Sequence, residues 1–321
     1  MPFFIDNIIH FDINKKEEII KNVFLRIATK EEQSIIKRLL VKFGRPQDIF
    51  DFDYHEYKSK NPNNFQGSLK KRNEDDFRYF VLEELNSEKY NLILPKAFFL
   101  TEKEFFSPFG FFKTKKGGLS IKYSFEELSV FSYYNDINMT FGDRPKNLTK
   151  SFDKTDKEQV EKNISLLNNF ETIKDDFPII DKALTDFFKI SEISNNSVFK
   201  VVSYFACLEL LLVNSNMENL KPIKFQLETK LNLLNNRFEK PINILNYIKG
   251  PDTLTLGNVM KIIYAYRSSI AHGDFIDFTK KLHLLEKASM SDILIFLRIV
   301  LKNTILFSLK EPELVRDLKK C

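Results

Sequence analysis

The sequence has no tryptophan, and cysteine, histidine and glycine are scarce in it. Its 321 residues include two Cys, four His and nine Gly. A Cys207 inside an apolar run and a Cys321 at the last position form a poor disulfide pair, so a reducing compartment is expected. Two cysteines and four scattered histidines do not supply a zinc site of familiar spacing. We therefore expect no disulfide and no structural metal.

The motifs of the common cofactor enzymes are also missing. The sequence has no GxxxxGK[ST] phosphate loop, no GxGxxG after a strand, no GxSxG elbow and no HExxH. We expect no bound cofactor. A Mg²⁺ nuclease built on carboxylates stays open, but Asp51, Asp53, Asp75 and Asp76 lack a convincing accompanying pattern of strand and lysine.

Neither the net charge nor the longest apolar segment of the sequence is extreme. There are 49 Lys+Arg and 44 Asp+Glu, a net charge of +5 that permits a polyanionic partner without requiring one. The most apolar segment, residues 293–309, contains Arg298 and Lys302, which argues against a membrane span. Residues 1–6 lack the basic region of a signal peptide. The expectation is a cytoplasmic protein with no membrane contact.

Residues 1–150 read as a mixed α+β domain. Thr29 and Glu32 have the spacing of a capping box at the start of a helix through Leu40. We predict a loop over 51–73, strands over 77–82, 91–94 and 119–125, and a hairpin turn at 115–118. The Phe residues between 105 and 112 suit either base stacking or core packing, and the general abundance of Phe favours the core.

Residues 151–321 read as an all-helical domain, with the boundary in the polar stretch 142–155. Apolar residues recur at helical spacing, and the intervening turns are short, which is typical of an antiparallel bundle. The predicted helices cover 156–173, one from Pro178, 197–213, one from Pro222, a short one at 242–248, 256–271 and 291–309.

One segment of this half combines residue types that support chemistry. Tyr264-Ala265-Tyr266-Arg267-Ser268-Ser269-Ile270-Ala271-His272-Gly273 ends an otherwise apolar helix with an arginine, a serine and a histidine. Arg267 and His272 lie about 140° apart on an ideal helix. They converge only if the helix loosens near Gly273 or if a symmetric partner supplies its own copy.

Arg-x4-His before a Gly, with Leu208-Glu209 on an earlier helix, resembles the HEPN superfamily, and its ApeA-like branch in particular. The resemblance covers roughly residues 155–315. It implies a HEPN-type helical bundle, a homodimer through that bundle, and a metal-independent endoribonuclease that leaves 2′,3′-cyclic phosphate and 5′-OH ends. It further implies an anti-phage or toxin effector, whose N-terminal domain senses a trigger or binds a partner.

The same resemblance assigns roles to individual residues. Arg267 would clamp the phosphate of an RNA substrate, and His272 would exchange a proton. Many family members have an amide or acid after the arginine; Ser268 stands there and can orient the site by hydrogen bonding. Glu209 is interpreted from its own setting: it is a lone acid in the apolar run 205–213, which favours a buried partner that holds Arg267 in place over a proton-transfer role.

Simpler interpretations of these residues stay open. An arginine and a histidine at a helix C-terminus also complement the helix dipole, and Gly273 is an ordinary cap. Tyr264 and Tyr266 suit packing better than base stacking. The alternative function is a non-catalytic HEPN dimer that acts as a nucleic-acid- or protein-binding module.

Overall fold

The computed structural model describes fourteen stretches of the chain. They are residues 2–5, 16–31, 55–59, 67–71, 80–84, 93–101, 111–113, 119–121, 153–190, 193, 197–214, 222–248, 254–273 and 289–321. The protein is mostly helical, with eight α-helices in these stretches, a small β-hairpin near the N-terminus and a helical bundle in the C-terminal half. The described residues divide into two compact units, one that ends at Ile164 and one that begins at Ser165. The limits 1–150 and 151–321 for the two domains stay a prediction.

The strands lie in the N-terminal unit. They are β1 (Pro2–Ile5), β2 (Glu17–Ile20), β3 (Val23–Ile27), β4 (His55–Ser59), β5 (Gly67–Lys71), β6 (Phe80–Glu84), β7 (Phe111–Lys113) and β8 (Leu119–Ile121). An antiparallel sheet has the order β1-β6-β3-β2, and the pairs β4–β5 and β7–β8 are separate two-stranded ribbons.

The tight hairpin β2–β3 shows how the sequence sets the sheet locally. Asn22 takes a left-handed φ of 65°, which asparagine tolerates in a turn, and its N–H donates to Glu18 Oε1 at 2.9 Å. Beyond the turn, Val23 and Leu25 are fully buried. The hairpin therefore combines turn chemistry with an alternating apolar face.

Two predictions for this unit are wrong. Residues 51–73 are not one loop, because β4 and β5 pair from His55↔Lys71 to Ser59↔Gly67. This ribbon is rich in polar residues, so the apolar alternation that announces a strand is missing. The strand predicted over 91–94 is also wrong, because its described residues Ile93 and Leu94 begin helix α1, which spans Ile93–Phe99. Pro95 lies in its first turn, where a missing N–H leaves no intrahelical bond unmade.

Other predictions for this unit are confirmed in part or lie outside the described residues. Strand 77–82 is observed as β6 at 80–84, and strand 119–125 as β8 at 119–121, paired with β7 as the hairpin turn requires. Outside the described residues lie Glu32 of the capping box, most of its helix, turn 115–118 and the acidic residues Asp51, Asp53, Asp75 and Asp76.

The helical half agrees closely with the sequence prediction. Its helices are α2 (Lys154–Glu171), α3 (Pro178–Ile190), α4 (Val198–Leu212), α5 (Ile223–Asn235), α6 (Leu256–Ala271), α7 (Met290–Lys310) and α8 (Pro312–Lys320), and a 3₁₀ turn lies at Ile244–Asn246. Helix α5 begins one residue later than predicted, because Pro222 is its N-cap and not its first helical residue. Helix α8 was not predicted, because Pro312 restarts a helix directly after α7.

Helix α4 is the centre of the bundle and packs on α3, α5, α6, α7 and α8. Its C-terminal carbonyls are held by two lysine side chains from other helices. Lys319 Nζ donates to Leu210 O at 2.6 Å, and Lys230 Nζ donates to Leu212 O at 2.9 Å. Burial lowers the pKa of both amines. These contacts fix the end of α4 that carries Glu209.

The neighbouring helices α5 and α6 approach closely at Gly257. A methyl group there would lie 2.6 Å from the backbone oxygen of Glu228 and 2.5 Å from Nδ2 of Asn232. The Gly257 N–H also donates to Asn232 Oδ1 at 2.7 Å. The absence of a side chain at this position therefore sets the spacing of the two helices.

We predict that Gly257→Ala destabilises the fold by about 1–3 kcal/mol, since the added methyl forces α5 and α6 apart. Urea unfolding measures the change. Asn258→Ala, at an exposed position of the same helical turn, is the matched control and should change stability by less than about 0.5 kcal/mol. Equal stability of Gly257→Ala and the unmodified protein would show that the helices are not closely apposed here.

Candidate functional site

The candidate site lies at the C-terminal end of α6, whose two ends are both well defined. Thr255 caps the start, because its side chain accepts from Asn258 N at 3.2 Å. The helix ends at Ala271, and the C-cap His272 donates its N–H to Ser268 O at 3.1 Å. Gly273 then takes a φ of +75°, the left-handed conformation that glycine adopts at helix ends.

Arg267 is paired with Glu209 across the interface between α6 and α4. Its Nη2 lies 3.0 Å from Oε1 of Glu209 and donates to Oε2 at 3.3 Å. Only 20% of the Arg267 side chain and 19% of the Glu209 side chain are exposed. Within the described part of the chain, Arg267 Nε and Glu209 Oε1 are buried without a hydrogen-bond partner. The ion pair therefore contains one hydrogen-bond donor and one acceptor that are buried and make no hydrogen bond in this part of the chain.

The ring of Tyr264 lies beside this ion pair and packs on Phe205. The Arg267 guanidinium carbon lies 5.4 Å from the centroid of the Tyr264 ring, and that ring meets Phe205 edge-on at 5.4 Å. Burial and the Glu209 carboxylate raise the pKa of Tyr264, and Arg267 opposes the rise. Tyr264 is therefore a neutral phenol that holds the guanidinium in place, not a base.

His272 and Ser268 are on the open side of the same helix end. His272 is exposed, and Ser268 is half-buried. Arg267 instead turns inward to Glu209. The structure thus places all four predicted residues around one helix end and pairs Arg267 with Glu209, while His272 faces solvent on another side of α6. The convergence of Arg267 and His272 stays a prediction.

Burial raises the pKa of Glu209, and the attraction of Arg267 only partly offsets the rise. A carboxyl group with a higher pKa in the folded state binds protons preferentially when folded. The contribution of this group to stability is therefore largest below the pKa of Glu209 in the unfolded chain. It falls as the pH rises from that pKa towards the higher pKa of the folded state.

We predict that the unfolding free energy of the unmodified protein, relative to Glu209→Gln, is greatest at acid pH. It should decline as the pH rises through that window, since the amide does not titrate. Urea unfolding of both proteins over a pH series measures the difference. A difference that grows as the pH rises would contradict the stated direction.

The described residues contain no group of three or more His, Cys, Asp and Glu side chains able to hold a metal ion. In the same stretches no helix has the length and apolar character of a membrane span. No protein-family model, curated protein or solved structure matches the chain.

Sequence reasoning missed two features near this site. Tyr264 was interpreted as packing, although its position three residues before Arg267 is the spacing at which helical side chains meet. Phe225 shares the helical spacing of Leu227, Leu231 and Leu234 on the helix predicted from Pro222, which predicts burial, yet it is 36% exposed and lies under two lysines. Its neighbour Lys224 was a signal, because a cation beside an aromatic residue suits a helix surface better than a core.

Proposed function

We propose that the protein is a metal-independent endoribonuclease of HEPN type whose site is the C-terminal end of α6. The observation that carries the proposal is the joint placement of a buttressed arginine and an exposed histidine. Arg267 is fixed by Glu209 and Tyr264, and His272 is open to solvent five residues later. The resemblance in residues 155–315 supports the same activity.

The reaction needs few groups, because RNA carries its own nucleophile. The 2′-oxygen attacks the adjacent phosphorus and gives up its proton, and the bond from phosphorus to the 5′-oxygen breaks. The leaving 5′-oxygen takes up a proton, so the products are a 2′,3′-cyclic phosphate and a 5′-OH. An imidazole titrates near neutral pH and suits both proton transfers. His272 performs this role.

Arg267 stabilises the charge that accumulates on the phosphate oxygens. A guanidinium presents five N–H donors in a planar fork; contact with Glu209 engages Nη2 and Nε is buried, so the phosphate is contacted through the exposed 20% of the side chain. Glu209 and Tyr264 keep the side chain from sampling other rotamers, which reduces the entropy lost on binding. Ser268 lies between the two catalytic residues and orients substrate or imidazole by hydrogen bonding.

A homodimer completes the site in this proposal. Within one protomer Arg267 faces Glu209 and His272 faces solvent, so a second copy that presents its own pair would place both groups around one phosphate. The N-terminal domain then restrains or triggers the activity in response to a partner. Such an enzyme acts as a toxin or anti-phage effector.

A second candidate is a HEPN dimer that binds RNA or protein without cutting. The inward orientation of Arg267 favours it, because an arginine engaged with a buried carboxylate also serves as a structural ion pair. This candidate predicts binding without new RNA ends.

Incubation of the purified protein with total RNA and EDTA separates the two candidates. We expect new 5′-OH ends paired with 2′,3′-cyclic phosphates, and we expect neither with Arg267→Ala.

A growth assay provides a second test. Expression of the unmodified protein should arrest growth, and Arg267→Ala or His272→Ala should relieve the arrest. Toxicity that survives both substitutions, or cleavage that requires Mg²⁺, would contradict the ribonuclease proposal.

A further inference from the structure

An exposed aromatic ring with two lysines lies at the start of α5, next to α6. The Nζ of Lys261 is 4.6 Å from the centroid of the Phe225 ring, and the Nζ of Lys224 is 5.1 Å from it. Phe225 is 36% exposed, Lys224 is exposed and 39% of the Lys261 side chain is exposed. We call Lys224, Phe225 and Lys261 the aromatic–lysine cluster.

Among the residues that the structure describes, the charge around the cluster is positive on balance. One acid opposes the two lysines, since Glu228 Oε2 lies 3.2 Å from Lys261 Nζ. The first turn of α5 contains no acidic residue. That turn also carries the positive end of the helix dipole, so it adds to the attraction for an anion. The cluster therefore offers a flat ring within a field that attracts phosphate.

The orientation of the helices directs this cluster towards the candidate site. Gly257 faces Asn232, and Lys261 faces Glu228 and Phe225, so the residue number on α5 falls as that on α6 rises. The two helices are therefore antiparallel. The first turn of α5 points along α6 towards its C-terminal end, where Arg267 and His272 lie.

One face of α6 links the cluster with His272. On an ideal helix Lys261, Ser268 and His272 lie within about 40° of one another, and Lys261 and His272 are separated by about 16 Å along the axis. Exposed Ala265 lies between them, and Ser268 is half-buried. None of the four residues on this face is buried, from Lys261 through Ala265 and Ser268 to His272.

We propose that this face of α6 is a track for single-stranded RNA, in which the aromatic–lysine cluster binds the strand a few nucleotides from the bond that is cut. Lys224 and Lys261 move from the ring of Phe225 to phosphates of the strand, and the ring that they uncover stacks on a base. Stacking on aromatic rings beside basic side chains is the general mode of single-strand binding. A duplex would keep its bases from the ring. The inference rests on the proposed function for the position of the cut, but binding at the cluster is independent of cleavage.

A binding experiment tests the cluster without any cleavage. The full-length protein is titrated into a fluorescent single-stranded RNA of about 12 nucleotides with 2′-O-methyl riboses, which cannot be cut, and anisotropy is recorded at several salt concentrations. Phe225→Ala should weaken binding about tenfold, and Phe225→Tyr by less than about twofold, because the tyrosine ring still stacks.

The charged residues give effects of opposite sign. Lys224→Ala/Lys261→Ala should reduce the slope of log Kd against log salt by about 0.7 for each lysine. Glu228→Gln should tighten binding about twofold, because Lys261 is released from its ion pair. A loss of folding cannot produce tighter binding. Lys182→Ala is the matched control, since Lys182 is an ion-paired lysine on α3, 2.7 Å from Asp186.

Unchanged affinity and salt dependence in the Phe225 and lysine variants would overturn the track. A polyglutamate peptide that displaces the RNA, and whose own binding is lost in Phe225→Ala, would also overturn the track, because the cluster would then be a site for an acidic protein.

Cleavage in EDTA is measured separately, on a dinucleotide and on an unmodified strand of the same length as the binding probe. Phe225→Ala should raise KM for the strand by a larger factor than KM for the dinucleotide, which is too short to reach the ring. Failure to cut either substrate would remove the proposed function and leave the binding result standing.

Discussion

Replacement of His272 by alanine is expected to abolish RNA cleavage, with a loss of at least about 100-fold in kcat. His272 is exposed and is the C-cap of α6, where its backbone N–H makes the described capping contact. Alanine can make the same backbone contact. The substitution therefore removes proton exchange while leaving the fold intact, and the initial rate of cleavage in EDTA measures the effect.

His272→Asn is the matched control for this prediction. Asparagine is polar and similar in size, and it suits helix C-termini, but it does not titrate near neutral pH. Both variants should be inactive, and both should unfold at the same urea concentration as the unmodified protein. Substantial activity in His272→Asn would assign the residue a role in hydrogen bonding and remove it as the proton carrier.

Arg267→Ala is expected to produce the second large effect, on activity and stability together. Cleavage should fall about 100-fold or more, because a charged donor to the phosphate is lost. The fold should lose about 2 kcal/mol, since Glu209 would remain in a largely buried position without its partner. Urea unfolding and cleavage rates measure the two losses on the same samples.

Two further variants separate these losses. Arg267→Lys keeps a positive charge near Glu209 and should recover much of the stability, but without the planar fork it should recover little cleavage. Arg267→Ala/Glu209→Gln removes both charges and should also be more stable than Arg267→Ala alone, while staying inactive. If the double variant regains cleavage, Arg267 acts only by neutralising Glu209 and does not contact the phosphate.

The helical half could be predicted because its signals are local. The spacing of apolar residues predicts α3 and α4, and Gly273 predicts the end of α6 at Ala271, where the structure has it. In the N-terminal half the ribbon β4–β5 is paired through its backbone, and its polar residues give no apolar alternation to detect. Long-range pairing of this kind is absent from a single-sequence pattern.

The candidate site was only partly accessible from the sequence. Arg267 and His272 were visible as an unusual pair of residue types at a helix end, and the acid in the apolar run 205–213 indicated a partner for a buried charge. The structure pairs Glu209 with Arg267, and the role of that pairing in a catalytic site stays a prediction. Exposure of Phe225 depends on how α5 docks against α6, which helical periodicity does not specify.

Cleavage of a DNA oligonucleotide that contains one ribonucleotide tests the central claim most directly. The proposed reaction needs a single 2′-OH, so in EDTA the unmodified protein should cut only at the phosphate that follows the ribonucleotide. It should leave a 2′,3′-cyclic phosphate there and a 5′-OH on the other fragment, and His272→Ala should leave the strand intact. Cutting at deoxyribonucleotides, a requirement for a divalent cation, or equal cutting by His272→Ala would contradict the claim.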